Sequence, residues 1–409
     1  MADDTSTVKV PQGIIEISAF VPEARNDPHT PLKALREACP VMRDEMAKTW
    51  LLTRYDDVRG LVNDRSHVRL PIKAEEGSLP RRLVDDETDS SRTSILFLDD
   101  PDHARIRQPL AKAFYARINK MKPEIEAIID DTIAAAPAEG AFDLMEAIAV
   151  PIPVLVIARI LGVDESRLAD FRQWSEDVIL GLNPMRTEDE TARLISGAEA
   201  LDAYFTELMT ARRAGPRDDL ISDMVQLLAS GEADMSDDEL LLNLQALLVG
   251  GNLTTTDLIG NGVWLFLNHP GQLAALKANS GLGGQAVEEV LRYEAPVSAT
   301  SRILAEDQQV AGCPMKARQA VFCSLASANR DAGTFDAPDA FDITVKRSSH
   351  VAFGGGPHIC IGAPLARIEA RRVYQKLFER YPDMRLAEQD LVWRALPFFR
   401  GLETLVVEV

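Results

Sequence analysis

Apolar positions recur at helical spacing along most of this chain, and strand-like alternation is confined to short stretches. A helical pattern begins at Leu32 and runs to Ala38. A short strand follows at Thr49-Trp50-Leu51-Leu52-Thr53, then a helix over Arg54–Val62 with Asp56 and Asp57 in its first turn. Acidic side chains there are favoured by the positive end of the helix dipole. Residues 123 to 215 read as successive helices: one around Ile125–Ile129, one over Pro151–Gly162, and one over Ser166–Leu182. Gly162 and Asn183-Pro184 are the expected stops, and Arg212–Asp219 is a turn before another helix. Residues 1–30 are polar and punctuated by proline, which predicts an extended lead-in. No repeat or low-complexity linker divides residues 31–409, so one domain is expected there.

The longest element has a legible start. Ser236-Asp237-Asp238-Glu239 is a capping box, in which the serine side chain bonds the N–H of Glu239 and the glutamate reaches back. The helix can run to Asn268, ahead of His269-Pro270. At 1.5 Å per residue it spans about 45–50 Å, enough to cross a whole domain. Its middle is Leu247-Leu248-Val249-Gly250-Gly251-Asn252-Leu253-Thr254-Thr255-Thr256-Asp257. Glycine costs about 1 kcal/mol against alanine in a helix, and threonine hydroxyls can bond back to the preceding turn. So costly a stretch points to function over stability. The alternative is a helix–helix crossing that needs small residues.

Between residues 68 and 94 there is no clean period. Pro71 and Pro80 interrupt it, and Asp85-Asp86-Glu87-Thr88-Asp89-Ser90-Ser91 is wholly polar. A loop of that length is expected to be a functional lid or a mobile segment, with a solvated loop that touches no ligand as the alternative; Ile95, Phe97 and Leu98 are its apolar candidates for contact.

Charge and cysteine usage narrow the function classes. Of the 409 residues 46% are apolar and 26% charged, as in an ordinary globular protein, and the net charge is −19. That charge excludes nucleic acid and anionic membrane as general partners. No run approaches roughly 18 apolar residues, and the N-terminus lacks a basic segment followed by an apolar one. Cys39, Cys313, Cys323 and Cys360 are far apart, which argues against a zinc site or disulfide framework and for a reducing, cytoplasmic setting. Against this acidic background Arg105, Arg107, Lys112, Arg117, Lys120 and Lys122 form a basic stretch with no acid among them.

Two clusters carry chemistry. His103 and Arg107 are four apart, so on a helix they share a face and can grip one anion. Phe353-Gly354-Gly355-Gly356-Pro357-His358-Ile359-Cys360-Ile361-Gly362 places three glycines and a cysteine before a helix over Ala363–Tyr374. At a helix mouth the unpaired N–H groups and the dipole favour the thiolate. A thiolate so held can ligate a metal, and one class with a single cysteine is haem iron.

Phe-Gly-x-Gly-x-His-x-Cys-x-Gly resembles the haem-binding loop of the cytochromes P-450. The resemblance runs from about residue 30 to the C-terminus. It implies a mainly α fold with a smaller β part, with haem b between the long central helix and the cysteine loop. Cys360 would be the axial ligand, on a loop whose family positions are Phe353, Gly354 and Gly362. His103, Arg107, Arg302 and His358 would hold the propionates. Gly250 and Gly251 match the small residues that open a groove for dioxygen, and Thr254 the threonine that helps deliver protons. The acid that normally precedes that threonine is replaced by Leu253. Thr254 with ordered water, assisted by Asp257, is then the expected proton source. Glu289 and Arg292 match a buried pair closed by a further arginine, which a shifted register would supply as Arg347. Ile95, Leu98, Val249, Val297 and Phe398 would form an apolar substrate pocket, with Asn252 as one polar contact.

The implied activity is a haem-thiolate monooxygenase acting on a small, mostly apolar organic molecule. Electrons would come from NAD(P)H through a reductase and a ferredoxin docked on Arg105, Lys112, Arg117, Lys120 and Lys122. Leu253 keeps a peroxide-using enzyme of the same fold as an alternative, beside a haem-binding member without catalysis.

Overall fold

The computed structural model describes residues 10–84 and 93–409, so the polar run Asp85–Ser91 lies outside the described residues. The central helix spans Asp237–Asn268. Its capping box is formed: the Glu239 N–H donates to Ser236 Oγ at 3.1 Å, and the Ser236 N–H donates to Glu239 Oε2 at 2.7 Å. Most of its length is buried, as expected of a helix apolar on nearly every side. Helices Pro151–Leu161, Leu168–Val178, Glu188–Ala214, Gly283–Tyr293 and Ala363–Arg380 pack around it.

The helix expected around Ile125–Ile129 is the second half of a longer one, Asp102–Ala135, which holds Pro109 and Pro123 inside it. An internal proline costs about 3 kcal/mol. Burial offsets that cost: Ile106, Leu110, Phe114, Ile118, Met121, Ile125, Ile129 and Ile133 form one apolar seam at three- and four-residue spacing.

The main sheet has four strands in the order Val41–Asp44, Thr49–Leu52, Ala320–Ser324, Ala299–Ile303. The two inner strands are parallel, with Leu51 opposite Phe322, and the outer pairs are antiparallel. The helix after the predicted strand spans Tyr55–Asn63, and the Asp331 carboxylate accepts the Tyr55 N–H at 2.8 Å.

The described part of the lead-in, from residue 10 on, is not extended. Ile14 is fully buried and its N–H donates to Asp44 Oδ2 at 2.7 Å. Pro22–Asn26 is a short helix, and the Arg25 carbonyl accepts from the Arg400 guanidinium. His29 Nε2 lies 3.0 Å from Glu294. The apolar positions Ile14 and Ile17 fasten this segment to the core.

Glu289 and Arg292 form a buried ion pair at 2.7 Å. Arg292 also donates to the carbonyls of Asn329, Pro338 and Ala340. Arg347 stands 3.3 Å from Glu289, in the third place that the shifted register allowed. No described helix is long and apolar enough to cross a membrane.

Candidate functional site

The cysteine loop is held by its backbone. Gly354 and Gly356 have φ of +70° and +62°, the left-handed region that favours glycine. A Cβ on Gly356 would lie 2.6 Å from the Val62 carbonyl oxygen. Asn63 accepts the Gly356 N–H at 2.8 Å, and the Cys360 N–H donates to the Phe353 carbonyl at 3.0 Å. Cys360 is the most exposed of the four cysteines, although protein crowds its sulfur on several sides. That crowding pushes its pKa up. The N–H groups of Gly362 and Ala363 and the charges of Arg107 and Arg367 pull it back. The buried Cys323, by contrast, is pushed up to about 12.

A cluster of histidine and arginine side chains surrounds this loop. His103 is buried and its ring lies 4.2 Å, centroid to centroid, from that of His358. Arg107, one turn further along the same helix face, donates to the Ile359 carbonyl. Arg302 is buried and donates to the Val62 carbonyl at 3.1 Å. A fifth member escaped the sequence reading: Arg69, whose guanidinium stands over the Phe97 ring at 5.9 Å. Burial, then the charge of Arg302, lowers it to about 9. Burial, then the charges of Arg69, His103, Arg302 and Arg107, lowers His358 to about 2.

Buried nitrogen atoms of His103 (Nε2), His358 (Nδ1) and Arg69 (Nε) have no hydrogen-bond partner. Nitrogen donors left unpaired in the interior, beside guanidinium groups, call for an anion with more than one acceptor. Two carboxylates on a flat group, as haem b carries, fit that set, and the thiol of Cys360 beside it fits the iron.

The central helix runs unbroken past its costly stretch, and Thr254 Oγ1 donates back to the Gly250 carbonyl at 2.8 Å. A Cβ on Gly250 would meet nothing within 4 Å, whereas one on Gly251 would sit 3.4 Å from Ile157. The two readings of the glycines therefore divide between them: Gly250 borders open space and Gly251 lets two helices pack.

Two expectations here need correction. Asp257 does not turn to Thr254. It is fully buried, 3.3 Å from Arg394, and backs onto Gly401, where a Cβ would lie 1.9 Å from its Oδ1. Burial raises it to about 6 in spite of Arg394. Asn252 stands about 200° around the helix from Gly250 and lines a cavity on that other side.

Of the pocket candidates, Ile95, Leu98 and Val249 are buried in the main core, and the Ile95 N–H donates to Asn243 of the central helix at 2.9 Å. Val297 bridges to Phe399. Phe398 packs on Phe322, ring centroids 4.5 Å apart, beside a cavity of about 40 Å³ that Ile14 and Ala24 also line.

The basic stretch is only partly a free surface. Arg105 is paired with Asp102 and Glu239, Arg117 is buried against Asp218 and Asp223, and Lys120 is held by Asp218. These three are corrections to the docking face. Lys112 and Lys122 are exposed.

The family profile Cytochrome P450 matches residues 284–390. Cytochrome P450 107B1 of Saccharopolyspora erythraea is 36% identical over 404 residues, 96% of this chain and 97% of that protein. The vitamin D(3) 25-hydroxylase of Pseudonocardia autotrophica is 37% identical over 387 residues, 93% of each chain. Among solved structures, the myxobacterial cytochrome P450 CYP267B1 in complex with myristic acid is similar, with a TM-score of 0.88 and 35% identity over 97% of this chain and 99% of that one. With that likeness over nearly its whole length, the chain belongs to the cytochrome P450 family of haem-thiolate monooxygenases.

Proposed function

We propose that this enzyme inserts one oxygen atom of dioxygen into a small, mostly apolar organic molecule, by hydroxylation or dealkylation, with electrons from a ferredoxin and its reductase. The observation that carries the reading is the set of unpaired nitrogens of His103, His358 and Arg69 gathered beside the Cys360 loop, with the guanidinium groups of Arg107 and Arg302 next to them. Bound haem supplies the oxygen chemistry, and a thiolate ligand favours cleavage of the O–O bond.

In this reading Cys360 holds the iron, and His103, Arg107, Arg302, His358 and Arg69 hold the two carboxylates. Phe353, Gly354 and Gly362 shape the loop, and Gly250 leaves room on the central helix. Thr254 holds a proton at Oγ1, where its hydroxyl already donates to the Gly250 carbonyl. In the same reading Ile95, Leu98, Val249, Val297 and Phe398 would wall the pocket and favour an apolar molecule. The names of the vitamin D(3) hydroxylase and of the myristic acid complex agree with that class for those proteins. Ferredoxin docking rests on Lys112 and Lys122, joined by the exposed apolar Ile359.

The test is a screen of apolar compounds by Soret absorbance, followed by turnover with NAD(P)H, reductase and ferredoxin. Product formed only in the presence of ferredoxin and dioxygen is the expected outcome. Full turnover with hydrogen peroxide and no ferredoxin would replace it with the peroxide-using reading. One observation favours that second reading: Leu253 in the acid position, with Asp257 turned away to Arg394.

A further inference from the structure

The central helix, the helix Leu168–Val178 and the C-terminal segment enclose a cavity of about 210 Å³. It lies on the face of the central helix that carries Asn252 and Thr256, away from Gly250. At about 30 Å³ per molecule it has room for roughly seven waters, and it falls below the roughly 300–1,000 Å³ of sites for drug-sized ligands. Ser175 and Thr256 line it at only 3% and 2% exposure. Neither hydroxyl has a hydrogen-bond partner among the described residues, and nor has the Nε of Arg394, which lines the same cavity. Asn252 adds a buried side-chain amide. Unpaired buried polar groups from three separate segments, converging on one space, call for a molecule that bonds to them.

The charges around the cavity decide what kind of molecule fits. Arg394 stands 3.3 Å from Asp257, and Arg172 is paired with Glu176 at 3.1 Å. Glu403 is exposed at the same rim. A carboxylate ligand only accepts hydrogen bonds, and it would meet Glu176 and Glu403. An ammonium ligand only donates, and it would meet Arg172 and Arg394. A hydroxyl group does both, so it can bond to Ser175, Thr256, Asn252 and the Arg394 N–H with no like charge to face. Leu253, also in the wall, fits the same molecule. An acid there would add a third carboxylate, whereas leucine gives an apolar floor for the C–H face of a sugar ring.

We propose that this cavity binds a small neutral polyhydroxy molecule of monosaccharide size, at a site separate from the one that holds the haem. The site does not depend on the monooxygenase reading above. The hydroxyl groups of the bound molecule supply the missing partners of Ser175, Thr256 and Arg394. Those residues belong to the helix Leu168–Val178, the central helix and the C-terminal segment, so the molecule ties the three together. A ligand that binds only this folded arrangement stabilises it.

The test uses the haem-loaded enzyme and three probes of one size and different charge: glucose, gluconate and glucosamine. Calorimetric titration is expected to give saturable binding of glucose, with gluconate and glucosamine at least about tenfold weaker. The Soret band is expected to stay in place as glucose binds. The double variant Ser175→Ala with Thr256→Val removes two hydrogen bonds and should weaken glucose at least about tenfold. Glu403→Gln, at an exposed position, keeps the test open if the double variant does not fold. It removes a carboxylate that faces gluconate, whose affinity should rise about threefold while that of glucose changes less. A crystal structure with glucose is expected to show its hydroxyl groups on Ser175 Oγ and Thr256 Oγ1. Failure of glucose to saturate, tighter binding of gluconate or glucosamine, or unchanged glucose affinity in the double variant would overturn the site. So would water alone on those two hydroxyls at saturating glucose. A Soret shift with glucose would put the molecule on the haem side and overturn a separate site.

Discussion

The cysteine loop and the middle of the central helix both leave room for a ligand, by opposite means. The loop is fixed many times over: two left-handed glycines, a hydrogen bond from Gly356 to Asn63, and positive groups converging from the loop at Arg69, the helix at His103 and Arg107, and the strand at Arg302. The central helix offers one glycine facing open space and one hydroxyl, already bonded to its own backbone. The groups that hold the cofactor are redundant and charged, whereas proton handling depends on few and weak ones. Substitutions should therefore act steeply near the loop and by degrees along the helix.

The largest effect is expected behind the loop. Arg292→Ala leaves buried Glu289 with only Arg347 and the Asp342 N–H, and the Asn329 and Pro338 carbonyls without their donor, a loss of about 3–5 kcal/mol readable by chemical denaturation. A change below about 1 kcal/mol would mean that Arg347 compensates. Removing one positive group from the cluster comes next. Arg302→Ala and Arg69→Met each lose a charged contact to a carboxylate, worth about 1.5–3 kcal/mol, so haem should be lost to a competing apoprotein roughly ten- to a hundredfold faster. An unchanged rate for Arg69→Met would remove it from the site.

The helix that follows the loop carries its own weak point. Glu369 is fully buried and one of its carboxyl oxygens has no partner. Burial pushes it to about 8 from an ordinary 4.5. Between those values the folded chain keeps a proton that the unfolded chain has lost. Stability should then fall as pH rises, by about 1.4 kcal/mol per unit. Glu369→Gln should flatten that slope between pH 5 and 8 in thermal unfolding, and an equally steep slope in the variant would refute the assignment. The smallest effect is on docking: Lys112→Ala with Lys122→Ala should slow ferredoxin reduction a fewfold at low salt, while Lys120→Ala, whose charge Asp218 already neutralises, should change it less.

What could be read from the sequence follows the same division. The capping box at Ser236, the one-turn spacing of His103 and Arg107, the pair Glu289 and Arg292, and the glycine–cysteine run are local patterns, and local geometry dictates them. The groups that were missed or misplaced depend on residues far away along the chain. Arg117 is neutralised by Asp218 and Asp257 is claimed by Arg394, partners about a hundred or more positions off. Arg69 lies in an aperiodic loop where no spacing marks it, and the docking of Ile14 on Asp44 has no local signature. Charge counted along a helix overstated the basic face, because it could not show which acids fold back onto it.

One measurement tests the cysteine assignment most directly: the absorbance of the reduced, haem-loaded enzyme under carbon monoxide, for the parent and for Cys360→Ser. The parent should give the long-wavelength Soret band of a thiolate-ligated haem, and the serine variant should lose it while still retaining haem through the positive cluster. The same long-wavelength band in both proteins, or in neither, would contradict Cys360 as the ligand.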